Sequence, residues 1–222
     1  PFRFGKSFDV DLGLRYGKWE KTDSTEIWNL KIISKGAYSL NFIFSTLYLP
    51  KGGELNIFNE DGSILYGPLT EKQNQHGKKF LTDIIQGESA IIHLTIPIKS
   101  KEKPELTIQN VIHGYKKIYD YMDIGYGTSG SCNNNVVCHT DWSTESDGVV
   151  QILLSTGTEL CSGSMLNNTN QDYRPFILTA FHCIDTGKNF VLEQNEINEA
   201  QEWLVRFRFR HKYCTNSAYI FD

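Results

Sequence analysis

The chain has 222 residues, 40% of them hydrophobic and 22% charged, which is enough to bury one large core or two modest ones. Its 22 basic and 26 acidic residues leave a formal net charge of −4 with both signs interspersed, so neither a nucleic-acid-binding stripe nor an acidic disordered tail is written in it. Its apolar runs fall well short of the ~18 to 20 residues a membrane-spanning helix needs, and no membrane span is expected.

The sequence opens on PFRFGKSFDV, without an initiator Met or a basic-then-apolar leader, so either a leader has been removed or the start lies inside a longer sequence. The following stretch reads as all-β. EIWNLKIIS alternates Ile27, Trp28, Leu30 and Ile32 with polar residues, and SLNFIFSTLYL does the same through Leu40, Phe42 and Phe44. SKGAY, LPKGGE, NEDGS and QNQHGKK supply the Gly, Asn, Asp and Pro of the reversals. LNIFNEDGSILYGP predicts a hairpin turning at Asp61-Gly62, and SAIIHLTIPI and ELTIQNVIHGY add strands on either side of KSKEKPE (99–105), read as a solvated hairpin tip. Short strands at this spacing predict an N-terminal β-sandwich over 1–117. Residues 118–126 lose strand periodicity and read as a linker. From Gly148 the strand pattern returns in GVVQILLSTG, TELCSGSMLNN, RPFILTAFHC, NFVLEQ and WLVRFRFRH, with one short helical turn weighed near NEINEAQEW, which for want of an apolar face is read as a surface loop. In the last strand Phe207 and Phe209 are expected to face the core and Arg206, Arg208 and Arg210 the solvent.

All five cysteines, Cys132, Cys138, Cys161, Cys183 and Cys214, lie beyond residue 131. They form no C-x-x-C pair, so a zinc ribbon is a poor reading, and their confinement to one segment points to disulfides made in an oxidising compartment. Five is odd, and one cysteine is expected to lack a partner within these residues.

PFILTAFHC predicts an apolar strand that ends in His182 and Cys183. A histidine there is a general base, a metal ligand or a satisfied core residue. His93 and His113 in strands, His76 in a turn, and His139 and His211 beside cysteines are read as non-functional, and with no H-x-H or i, i+4 pair no metal is expected. Ser162 and Ser164 in CSGSM invite a nucleophile reading, and a Cys183–His182 couple is disfavoured because neighbours in a strand point to opposite faces. NNT at 167–169 fits a glycosylation sequon and marks a surface turn.

In CSGSMLNNT followed by FILTAFHC, a strand, a loop and a T-A-x-H-C terminus stand in the order found in chymotrypsin-like serine endopeptidases. GTSGSCNNNVVC (127–138) and VRFRFRHKYC resemble, more narrowly, the bacterial lysyl endopeptidase group. YGKWE, YLPKGGELNIFNEDG, GPLTEKQN and VIHGYKK resemble the β-rich proregion of its secreted relatives. The resemblance implies an all-β chain: a proregion-like sandwich over 1–117, a processing segment at 118–126, and a truncated first trypsin-like barrel over 127–222. It implies that His182 is the general base, placed by a buried strand, that Ser162 and Ser164 lie on a structural strand and are not the nucleophile, and that the pairs are Cys161–Cys183 and Cys138–Cys214. Cys132 would then bond to a partner further along. Closing the 22-residue loop (183 − 161) is worth roughly 3 kcal/mol.

The Asp and Ser of the triad, and the C-terminal barrel that carries the specificity pocket, would lie beyond residue 222. The expectation is thus a secreted serine endopeptidase zymogen acting on polypeptides without a cofactor, inactive as these 222 residues alone. The other reading is a non-catalytic exported β-protein whose sandwich binds a protein or glycan.

Overall fold

A computed structural model describes residues 1–63, 65–74, 78–118, 132–210 and 214. The strands are β1 (Phe2–Arg3), β2 (Gly5–Gly13), β3 (Lys18–Lys21), β4 (Thr25–Ile33), β5 (Ser39–Tyr48), β6 (Glu54–Asn59), β7 (Leu65–Leu69) and β8 (Phe80–Leu81). They continue with β9 (Ile85–Gln86), β10 (Ser89–Pro97), β11 (Glu105–Gly114), β12 (Val149–Leu153), β13 (Glu159–Leu166), β14 (Phe176–Thr179) and β15 (Leu204–Phe207). Among the described residues the α-helices are short and lie in the second half: α1 (Ser143–Asp147), α2 (Phe181–Ile184) and α3 (Gln194–Ala200). The chain is all-β, as expected. It divides into two compact units, Gly5–Tyr115 and a second one made of Pro1–Phe4 with Lys116–Asp222.

In Gly5–Tyr115 two antiparallel sheets form, in the orders β3-β4-β10-β6-β7 and β2-β11-β5-β8, with β9 also on β5. Strand alternation sends Trp28, Leu55, Ile57, Ile92 and Leu94 from the first sheet, and Leu40, Phe42, Phe44, Leu106 and Ile108 from the second, into one buried cluster. Burying each such side chain is worth about 2 to 3 kcal/mol, and this cluster holds the unit without a disulfide. Trp28 is fully buried and its indole N–H is satisfied, donating to the Leu14 carbonyl at 2.8 Å. The hairpin between β6 and β7 turns through Asp61-Gly62 as its sequence requires: Gly62 sits at φ 70°, and Asp61 Oδ1 accepts the Ser63 amide at 2.9 Å. KSKEKPE differs from expectation. β10 and β11 lie in different sheets, so the segment is a crossover between sheets and not a hairpin tip. His93 pairs with Asn29 Oδ1 at 2.7 Å and His113 with Ser34 Oγ at 2.8 Å, so both are satisfied structural residues, and His76 lies outside the described residues.

The second unit carries an open sheet in the order β1-β13-β12-β15, with β14 also on β13. Among the described residues none of the sheets closes into a barrel. Val150, Ile152, Leu154, Cys161 and Cys183 form its small core, with Trp203 and Val205 packed against it. Three sequence readings are corrected here. NFVLEQ is not a strand: the buried Asp185 carboxylate accepts the amides of Asn189 (3.1 Å) and Phe190 (3.0 Å) and curls the chain, with Lys188 and Phe190 in the left-handed region (φ 54° and 62°). NEINEAQEW is helical over its first six residues, within α3, so the helical turn weighed there is present and the surface-loop reading is not; a capping box joins Glu193 to Glu196. The last strand stops at Phe207, because Arg208 turns the chain at φ 54°. Phe207 is therefore exposed, and Arg210 is drawn inward to Asp147 at 2.8 Å and to Ser146, against expectation, while Arg208 is exposed as expected.

Candidate active site

The β12–β13 hairpin is the scaffold. β12 supplies Val150, Ile152 and Leu153 to the interior, while β13 runs antiparallel to it with Cys161 opposite Ile152 and Gly163 opposite Val150. On its other edge β13 pairs with β14, placing Gly163 opposite Thr179 and Leu166 opposite Phe176. The approach is close enough to require glycine. A Cβ at Gly163 would lie 2.9 Å from the Leu178 carbonyl oxygen and 3.1 Å from Ile177 Cγ2. Thr179 Oγ1 also donates to the Ser162 carbonyl at 2.8 Å, fastening the end of β14 to its neighbour.

At Ala180 the backbone is still extended (φ −75°, ψ 143°), and with Phe181 it enters α2, one helical turn closed by the Asp185 amide on the Phe181 carbonyl at 2.9 Å. His182 is thus the second residue of a helical turn and not the last residue of a strand, which corrects the expected local geometry. In a helix successive side chains project about 100° apart, so the strand-based objection to His182 and Cys183 lying near one another lapses. A ring nitrogen of His182 and the sulfurs of Cys161 and Cys183 do lie within 4.8 Å of one another. Those sulfurs are bonded to each other, which removes them as thiolate nucleophiles or metal ligands.

The Cys161–Cys183 bridge spans 6.3 Å between Cα atoms and is buried, whereas His182 is exposed. The core therefore grips the residue next to the imidazole and leaves the imidazole itself accessible. Asp185, three residues on, is 4% exposed, and both of its oxygens are engaged by loop amides. Glu196 is 2% exposed and accepts from the amides of Gly187 at 2.9 Å and Glu193 at 3.1 Å and from Thr186 Oγ1 at 3.3 Å. The Gly187 amide, then that of Glu193, hold its carboxyl below the usual carboxylate range. Neither carboxylate was singled out in the sequence. The only available signal was an S/T/D/E-x-x-E capping pattern at Glu193–Glu196.

One expectation about the site is reversed. β14 is not buried: Leu178 is 60% exposed and Phe176 46%, and an apolar hollow of about 500 Å³ opens beside it between Ile152, Ile177, Phe181 and Trp203. Among the described strands β14 pairs only with β13. Ser162 and Ser164 both lie on β13, facing Gln151 and Val149 across the ladder. Cys138 and Cys214 are bonded, Cys132 is a free and exposed thiol, and His139 is an exposed turn residue. His211 lies outside the described residues, as does most of the 118–126 segment.

Residues 126–220 match the family model of the lysyl endopeptidase C-terminal domain. A curated lysyl endopeptidase from Pseudomonas aeruginosa is 27% identical over 120 residues, covering 49% of this chain. The chain spans 26% of the length of that relative. No solved structure matches the chain. The resemblance to the lysyl endopeptidase group read from the motifs is thus shown by both comparisons.

Proposed function

We propose that this chain is part of a secreted serine endopeptidase zymogen of the lysyl endopeptidase group, in which His182 is the general base of a Ser-His-Asp triad. Residues 127–222 would be the first half of the catalytic domain, and 1–117 a β-sandwich proregion removed by cleavage near Gly127. The substrate is a polypeptide, and no cofactor is invoked. One observation carries the reading: an exposed imidazole on a helical turn whose neighbour Cys183 is bonded into the buried core through Cys161. That arrangement fixes the backbone under the base while leaving its ring nitrogens available to a hydroxyl nucleophile.

In the reaction the imidazole takes the proton of the serine hydroxyl as the hydroxyl attacks the scissile carbonyl, and then delivers it to the leaving amine. The serine, the aspartate and the oxyanion-binding amides would be contributed outside these 222 residues, so the residues by themselves are expected to be inactive.

The test is His182→Ala in the full-length protein from the producing organism, with turnover and melting temperature measured on the same preparation. Loss of a triad member lowers turnover by several orders of magnitude. Because His182 is exposed, the melting temperature should hardly move. Turnover near wild type in the variant would refute the assignment.

A further inference from the structure

The sulfurs of Cys161 and Cys183 and a ring nitrogen of His182 converge from two elements. Cys161 is held in the β12–β13 ladder opposite Ile152, and the Cys183 amide donates to the Ala180 carbonyl at 3.0 Å as α2 begins. The Cα atoms of the two cysteines stand 6.3 Å apart, and the three donor atoms lie within 4.8 Å of one another. Bonded to each other, the sulfurs are no ligands. A disulfide is made from two thiols, however, so the chain passes through a state in which this group is two sulfhydryls and an imidazole.

That set has the chemistry of a metal site. Zinc bonds thiolate at about 2.3 Å and imidazole at about 2.0 Å, which spaces tetrahedral ligands by about 3.5 to 3.8 Å. The Cα separation leaves the sulfurs room to part to that distance, and the exposed ring of His182 is free to turn in and complete the group. Two sulfurs and one nitrogen suit a borderline-soft ion and not magnesium or calcium. The nearby carboxylates are engaged elsewhere: Asp185 accepts the amides of Asn189 and Phe190, and Glu196 those of Gly187 and Glu193. Val150, Ile152 and Leu154 pack about the sulfurs while His182 faces solvent, so the ion enters from the histidine side and keeps a water as its fourth ligand.

We propose that, before the Cys161–Cys183 bond forms, Cys161, Cys183 and His182 hold one zinc ion. Binding displaces one proton from each thiol and moves no electrons. When the disulfide forms, the two thiolates pass two electrons to an acceptor disulfide, which becomes a dithiol, and the ion returns to solution. Until then the ion clasps β13 to α2 where the disulfide later does, and it stabilises this unit in the reduced chain. It also occupies a ring nitrogen of His182. That this idles a general base rests on the role proposed for His182; the site itself does not.

The test uses the 222-residue chain carrying Cys132→Ser, Cys138→Ser and Cys214→Ser, reduced with a phosphine in the absence of oxygen and titrated with cobalt(II) as an optical stand-in for zinc. One equivalent should give a thiolate-to-cobalt charge-transfer band and a tetrahedral ligand-field spectrum, and zinc should bleach both. Adding His182→Ala should weaken binding at least tenfold, and the oxidised chain should take up no cobalt. Should the triple variant fail to fold, alkylation of the reduced wild-type chain decides. Zinc should then slow modification of Cys161 and Cys183 at least tenfold, read by peptide mass spectrometry, and in His182→Ala the slowing should be lost. A reduced chain that folds without taking up cobalt overturns the inference, as does a His182→Ala variant whose binding or protection equals its parent's. Turnover of His182→Ala in the oxidised full-length enzyme tests the general base separately, so either reading can fail without the other.

Discussion

Removing the two disulfides one at a time separates what holds the protease-like unit together from what holds its histidine. Cys161–Cys183 closes a sequence separation of 22 and Cys138–Cys214 one of 76. In the loop-closure account these lengths correspond to about 3.4 and about 4.5 kcal/mol at 25 °C. On chain entropy alone, Cys138→Ala/Cys214→Ala is therefore expected to lose about 1 kcal/mol more stability than Cys161→Ala/Cys183→Ala. The effect on activity should run the other way, because only Cys183 adjoins His182. Urea unfolding of both double variants, followed by hydrogen exchange of amides in 149–166, reads this unit apart from the Cys-free one. Turnover per folded molecule is measured in the full-length enzyme. The reasoning fails if the Cys161/Cys183 variant proves the less stable of the two. The packing of those buried sulfurs against Val150, Ile152 and Leu154, and not loop closure, would then set the order.

Gly163→Val places a side chain against the Leu178 carbonyl and Ile177. It should cost about 1 to 3 kcal/mol by overpacking while loosening the strand that leads to His182, with thermal melting and turnover falling together. Glu196 has a lowered carboxyl pKa in the fold, so its stabilising effect is complete above the unfolded carboxylate range and is lost as pH falls through the folded value. The loop 185–196 should accordingly lose hydrogen-exchange protection below about pH 4 in the wild type, near the unfolded glutamate value. In Glu196→Gln protection should be weaker at neutral pH and flatter with acid; parallel profiles would contradict the assignment. Asp185→Asn replaces a double amide acceptor by a group with one acceptor oxygen, so loop protection and melting temperature should drop. The pH dependence of kcat/KM should stay in place, and a displaced profile would instead mark Asp185 as the partner of the imidazole.

Where a residue's neighbours are set by strand period, the sequence was easily legible. Phe42 and Phe44, Ile92 and Leu94, and the Asp61-Gly62 turn lie where alternation and turn chemistry put them, because each depends on neighbours only a few residues away. Legibility failed where a single polar side chain elsewhere in the chain overrides the pattern. NFVLEQ has the composition of a strand, yet the amides of Asn189 and Phe190 are taken by Asp185 from outside the segment. RFRFR has perfect alternation, yet Arg208 and Arg210 both reach Asp147, more than sixty residues back, and the strand ends to let them do so. Pairing between β1 and β13 joins residues more than 150 positions apart, and nothing in PFRF announces it.

The same distinction explains what was and was not readable at His182. The pattern FILTAFHC correctly delivers an apolar strand to a histidine and a cysteine, but periodicity cannot tell whether the last two belong to the strand or to the turn after it. The placing of the histidine is shared among three devices. The β13 ladder fixes Thr179, the disulfide fixes Cys183, and Asp185 holds the following loop by its amides. Each has its own polar or sulfur atoms engaged. The sulfurs are bonded to one another, the Thr179 hydroxyl is donated to a carbonyl, and the Asp185 oxygens are occupied. A general base must exchange its proton with substrate and nucleophile and not with its own scaffold. An exposed ring beside a buried disulfide is compatible with that requirement, and the turnover of His182→Ala tests it.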